Sequence, residues 1–209
     1  VFNYKRIFMF ETISALSGLF ATIWISVGVF VTAKFYPNYD HKNQFCSELG
    51  AAGSPTEKLS PIINNYPLGF IFCLFGWHLI QLNNANIALV VTGILIMLHG
   101  IGTWVAGYFP MDKDPYTQSP TLSCKIHSWA GVIMLLSLLL APVIVAFSPV
   151  STYIPFEFRV FSIIVVLLAI FYLVKMAKGL KNRKLTGLYQ RLSYWVKLIW
   201  ISVLSLLLI

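Results

Sequence analysis

The sequence is poor in charge. Lys, Arg, Asp and Glu make up 11% of its 209 residues, against about 25% in an ordinary soluble domain. Acidic residues are scarcest, with 7 Asp and Glu against 15 Lys and Arg. With 58% hydrophobic residues and a mean hydropathy of +0.78, the chain lacks the polar surface a water-soluble globule requires, so the bilayer must be its solvent. Cysteine is also sparse. Cys46, Cys73 and Cys124 are too few for a disulfide scaffold. A Cys46–Cys124 bond would fit an oxidising compartment, and two free thiols are the simpler reading. There is no GxSxG elbow, P-loop, GxGxxG, HxxxH or HExxH spacing, so no motif-defined chemistry is legible. No cleavable leader is expected, because the first hydrophobic run is long and lacks a small-residue cleavage site followed by polar sequence. The net charge of +8 points to loop topology and anionic headgroups rather than to nucleic acid.

What the chain has instead is long apolar runs. A spanning helix takes about 20 mostly apolar residues. Six runs qualify, at about 9–33, 66–84, 86–109, 127–147, 158–176 and 191–209. The expected fold is all-α: a polytopic integral membrane protein whose residues 1–209 form one six-helix transmembrane bundle. Loop 34–65 is polar and long enough to cap the helix ends. Six spans place loops 34–65, 110–126 and 177–190 on one side, here called face A, and both termini on face B. Face A holds Lys34, Lys42, Lys58, Lys113, Lys125, Lys175, Lys178, Lys181, Arg183, Lys184 and Arg191, whereas face B holds Lys5, Arg6 and Arg159. The positive-inside rule makes face A cytoplasmic, in a bacterial-type inner membrane or a plasma membrane. The competing arrangement puts both termini inside.

Ionisable residues within spans are costly and by default mark function. Glu11 lies close to Lys5 and Arg6, so an interfacial ion pair or a snorkelling acid competes with a functional role. His78 reads equally as a neutral imidazole bonded between helices. His99 stands four residues before Thr103 on the same helix face, beside Gly93, Gly100 and Gly107, which recur every seven residues. Such a stripe admits a closely packed helix, so His99 is either a packed imidazole or a ligand and proton-handling group.

Haem and zinc are the two cofactors that bear on these positions. Bis-histidine haem needs two imidazoles level on facing helices. At 1.5 Å per residue, His99 lies on the order of 15 Å below face A, His78 roughly 18 Å or more, and His127 within a few ångströms. No two are clearly level. Zinc would need three or four ligands. Asp112, His127, Asp114, Glu48, His41, Cys46 and Cys124 supply donors near face A without a diagnostic spacing. Neither group is expected.

Several short motifs carry a resemblance. Cys46-Ser47-Glu48-Leu49-Gly50-Ala51-Ala52-Gly53-Ser54-Pro55 is followed by Asn64-Asn65 before the second span. Phe109-Pro110-Met111-Asp112, His127 and Gly187-Leu188-Tyr189-Gln190-Arg191 come later. In order, these resemble the landmarks of an uncharacterised membrane family, domain of unknown function 998, which is more distantly similar in layout to the Frag1/DRAM/Sfk1 proteins. The resemblance implies six helices and membrane residence, and carries no reaction or catalytic role.

All of these landmarks fall on face A. Ser47, Glu48, Asn64, Asn65, Asp112, His127, Gln190 and Arg191, with His99 deeper, are therefore the pocket candidates. Arg191 is suited to a carboxylate or phosphate, and the competing reading is that the charged members only tie loops together. The expected function is a lipid-binding, scaffolding or accessory subunit, with membrane lipids and possibly other membrane subunits as partners and no nucleic acid. The alternative is a membrane-embedded hydrolase or transferase acting on a lipid-like substrate through Asp112 and His127. A small proton-coupled carrier using Glu11, His78 and His99, and a haem-binding subunit, rank below it.

Overall fold

The structure is a computed structural model that describes residues 2–209, with side chains from residue 9 onward. Six helices follow one another: α1 (Phe2–Lys34), α2 (Tyr66–Gln81), α3 (Ile87–Tyr108), α4 (Leu122–Ala146), α5 (Phe156–Asn182) and α6 (Thr186–Leu207). Each packs on its neighbours in sequence, and α6 returns to α1, so the helices close a ring. α1 from Met9, α3, α4 and α5 are each long and apolar enough to cross a membrane. α2 is short as an α-helix but continues a π-helical turn, Pro61–Asn65. α6 has the length and is more polar, because Ser193, Lys197, Ser202 and Ser205 are buried inside the ring rather than turned to lipid. The protein is an all-helical, polytopic membrane protein.

The outward faces are apolar, as lipid requires. Ile163, Leu167, Phe171 and Val174 of α5 are exposed. Inside the ring Phe72, Phe75, Ile96, Leu138, Leu198, Trp200, Ile201 and Leu204 form the core. Lipid tails offer no hydrophobic incentive for helices to associate, so close backbone approach and interhelical hydrogen bonds must do it. Both are present. α2 and α3 meet through glycine pairs. A Cβ at Gly76 would stand 2.5 Å from the Gly93 carbonyl oxygen, and one at Gly100 would stand 2.7 Å from that of Gly69. A Cβ at Gly107 would stand 2.5 Å from that of Asn65, so the whole seven-residue stripe is used for packing. α6 is bonded to its two neighbours by hydroxyls. Ser202 donates to Thr22 Oγ1 (2.8 Å), Ser205 donates to the Ala15 carbonyl, and Trp200 Nε1 donates to Ser162 Oγ of α5 (2.7 Å).

Several helix limits differ from the sequence expectation, among them the starts of α1 and α6, which lie at Phe2 and Thr186 rather than at 9 and 191. α4 begins at Leu122, before His127, because Thr121 caps it by accepting from the Cys124 N–H (3.2 Å). α5 runs on to Asn182, so the expected loop 177–190 shrinks to a tight turn in which Arg183 and Leu185 take left-handed backbone (φ 52° and 58°). Lys175, Lys178 and Lys181 extend from a helix that outruns the apolar segment; lysine is a good helix former and has no reason to end it.

Candidate functional site

Face A is built by docking the first loop onto the start of α6. Arg191 makes the central contact. Its guanidinium donates to the carbonyls of His41 (2.6 Å) and Gln44 (2.9 Å) and to the Tyr39 hydroxyl (2.6 Å), and it lies 5.7 Å from the Tyr39 ring centre. The Leu188 N–H donates to the Lys42 carbonyl (2.8 Å), and the Cys46 N–H donates to Gln190 Oε1 (2.9 Å). Gly187 is required here, since a side chain would collide with the Gln44 carbonyl. Glu48 is buried and receives the Phe45 N–H (2.8 Å) and Gln44 Nε2 (3.0 Å). Burial pushes the Tyr39 phenol and the Cys46 thiol up from their ordinary values. Cys46, Cys73 and Cys124 are free thiols. Ser47 lies in the short 3-10 turn Cys46–Gly50 and is half-buried.

The remaining face-A candidates fasten other joints. Asn64 is buried in the π-helical turn, where Nδ2 donates to Thr32 Oγ1 (3.1 Å) of α1; its Oδ1 faces Gly28 without a hydrogen bond. Asn65 Nδ2 donates to the Thr103 carbonyl (3.1 Å) of α3. Asp112 receives the Thr121 hydroxyl (2.6 Å) and N–H (2.9 Å). The hydroxyl bond first, and then the N–H, hold its carboxyl below the usual carboxylate range. His127 Nδ1 donates to the carbonyls of Phe109 (2.9 Å) and Ala106 (3.0 Å). No hydrogen bond or ion pair joins Asp112 to His127 among the described residues. Nor does any group of three or more His, Cys, Asp or Glu side chains stand ready for a metal ion among them.

Between the docked loop and its neighbours lies an open cleft of about 590 Å³. Asn43, Gln44 and Glu48 form one wall, Lys113, Asp114, Pro115 and Tyr116 another, and Arg183 closes the side. The Arg183 guanidinium sits 4.7 Å from the Tyr116 ring centre. Asp114 is engaged by the Tyr116 N–H (2.9 Å), as Glu48 is by loop one. Lys113 and Arg183 form no ion pair among the described residues. The cleft thus combines two cations outside any ion pair with two carboxylates held by N–H donors, Glu48 and Asp114, and an aromatic platform. Of the face-A candidates, only Glu48 lines it.

The spans hold a second polar group. His99 is 1% exposed, with Nδ1 2.9 Å from the Met134 carbonyl and Nε2 3.0 Å from the Tyr194 hydroxyl. A carbonyl only accepts, so Nδ1 carries the proton and Nε2 accepts from Tyr194. Both ring nitrogens are therefore engaged, and neither is open to a ligand. His99 packs edge-on against Phe72 (4.6 Å) and stacks with Tyr194 (5.7 Å), which draws α2, α3, α4 and α6 together across the ring. Lys197, one turn beyond Tyr194, is 3% exposed, with Nζ 5.9 Å from the Tyr194 ring centre. A desolvated cation–π contact is worth about 2 kcal/mol, against a penalty of several kcal/mol for burying one ion. Lys197 and Tyr194 are absent from the sequence-derived candidates, although a lysine in the last apolar run was itself a signal. At face B, His78 Nδ1 meets Ser14 Oγ (3.0 Å) between α2 and α1. Glu11 is exposed, and its expected partners Lys5 and Arg6 lie outside the described side chains.

Ring, landmarks and interfacial cleft define a six-helix membrane protein without a motif-defined active site. The model of the family described as protein of unknown function DUF998 matches residues 19–207, and the chain belongs to that family. No curated protein and no solved structure matches it.

Proposed function

We propose that the protein is a non-catalytic membrane-resident module that holds the headgroup of an anionic phospholipid in its face-A cleft. The observation that carries this reading is that Lys113 and Arg183, neither in an ion pair, stand beside the Tyr116 ring in a cleft of about 590 Å³, while the Glu48 and Asp114 carboxylates that share it are held by N–H donors. Arginine offers a planar fork to a phosphate, and lysine adds a point charge. The cleft lies where the chain leaves the membrane, at the depth of headgroups. The exposed Lys175, Lys178, Lys181 and Lys184 give its surroundings the same sign. Anionic lipids are attracted to such clusters by about 1 kcal/mol per basic residue. Face A is cytoplasmic in this reading, by its excess of basic residues.

The test is thermal unfolding in a neutral detergent with added phosphatidylglycerol or phosphatidylcholine. Phosphatidylglycerol raises the unfolding midpoint and phosphatidylcholine does not. The gain shrinks in high salt, as an interfacial charge contact requires, and is lost in the Lys113→Ala, Arg183→Ala double variant. Equal gains from both lipids would remove the reading.

A further inference from the structure

We infer that the centre of the helix ring is a second binding site, in which Lys197 pairs with the oxyanion of an amphiphile. The argument begins with charge. Lys197 is 3% exposed and lies 11 residues after Thr186, the first residue of α6, hence about 16 Å along the helix from its face-A end. A lysine at that depth demands a partner. None of the acidic residues of the chain supplies one. Asp40, Glu48, Glu57, Asp112 and Asp114 lie in the face-A loops, Glu11 is exposed near the start of α1, and Glu157 occupies the first turn of α5 at face B. Lys197 forms no ion pair or hydrogen bond among the described residues. Its neighbours Tyr194 and His99 are neutral and bonded to each other and to Met134. They shape the site without offering a countercharge.

The anion must therefore come from outside the chain. The Lys197 ammonium keeps a narrow accessible edge, but at this depth a neighbouring protein's carboxylate would bear the same burial cost as the lysine itself. An inorganic anion would have to shed its hydration among Phe72, Leu198 and Ile201, all fully buried. A carboxylate or phosphate carried on an acyl chain matches both halves of the site: an ammonium with unused donors, and apolar surroundings at the depth of the acyl chains. This site is separate from the face-A cleft and does not depend on the lipid reading proposed for it.

The experiment uses the full-length chain in neutral detergent, with oleate, lysophosphatidate and monoolein as probes. Binding is read by native mass spectrometry and by the shift of the unfolding midpoint. The proposal expects oleate, lysophosphatidate or both to bind at least tenfold more tightly than neutral monoolein; whichever binds identifies the carboxylate or the phosphate as the preferred head. Lys197→Met, which keeps the apolar length without the charge, loses that preference, and Lys197→Arg retains it. The preference for the anions over monoolein persists in the Lys113→Ala, Arg183→Ala double variant and is lost when Lys197→Met is added to it, so failure here is distinguishable from failure of the cleft. Monoolein binding as tightly as both anions, no binding of either anion, or an unchanged preference in Lys197→Met overturns the proposal. If Lys197→Met fails to fold, the ranking of the three probes on the Lys113→Ala, Arg183→Ala variant decides.

Discussion

Replacing Arg191 with Ala should release the first loop from α6. The guanidinium makes three hydrogen bonds of 2.6–2.9 Å to His41, Gln44 and Tyr39. A hydrogen bond to a charged group contributes about 1.5–3 kcal/mol, but bonds made by one side chain are not additive. Water also reaches part of this site and recovers some of the lost partners. A net loss of about 2–4 kcal/mol in loop docking follows, which is roughly 30- to 700-fold in its opening equilibrium. Hydrogen exchange at residues 39–48 and at Leu188 reads this directly, because the Leu188 and Cys46 N–H groups are bonded across the joint. Protection should fall by that factor there and hold in α3 and α4. Arg191→Lys should recover only part of it, since an ammonium does not reproduce the planar fork that spans a hydroxyl and two carbonyls. Unchanged protection in Arg191→Ala would refute the assignment of Arg191 as the anchor, and full recovery by Lys would refute the geometric argument.

Three further outcomes follow. Gly76→Ala or Gly93→Ala should lower stability in detergent by about 1–3 kcal/mol, the usual cost of overpacking, because each new Cβ would press on the other glycine's carbonyl; a midpoint unchanged by either variant would contradict the helix contact. Acid should loosen two face-A loops before the bundle. Hydrogen bonds from Thr121 depress Asp112, and hydrogen bonds from the Asn43 side chain, then the Lys42 N–H, depress Asp40. Groups so depressed add stability that is fully present above the unfolded value of about 3.9 and is lost as pH falls through the lower folded value. Exchange at residues 40–44 and 112–121 should therefore rise below that pH, and Asp112→Asn should remove the pH dependence of the second segment. Finally, Ser202→Ala with Ser205→Ala should loosen α6 from α1 by roughly 1–2 kcal/mol, as interhelical hydroxyl bonds do in membranes; an unchanged unfolding midpoint would refute that role.

The membrane class and the six helices were legible because apolar run length is set by bilayer thickness, and the glycine stripe at Gly93, Gly100 and Gly107 was legible because seven-residue spacing keeps one helix face. The extension of α5 beyond 176 was hidden, since Lys178 and Lys181 read equally as loop and as helix. The cleft was hidden for another reason. Arg183, Lys113 and Tyr116 are far from Gln44 in sequence, and only the docking of loop one on α6 brings them together. Asp112, His127, Asn65 and Arg191 stood out by residue type, but their partners are backbone groups, a local hydroxyl at Thr121 and a distant one at Tyr39 that no pattern announces. Tyr194 is an aromatic among aromatics in α6, and its link to His99 appears only when the ring closes.

The most direct test of the account is the number of phosphatidylglycerol molecules retained by the protein in native mass spectrometry at low salt, with and without Lys113 and Arg183. At about 1 kcal/mol per basic residue, removing both should weaken retention of the bound lipid roughly 30-fold, with phosphatidylcholine retention unaffected. Equal phosphatidylglycerol retention by the unmodified protein and the Lys113→Ala, Arg183→Ala variant would contradict the claim that the face-A cleft holds the headgroup.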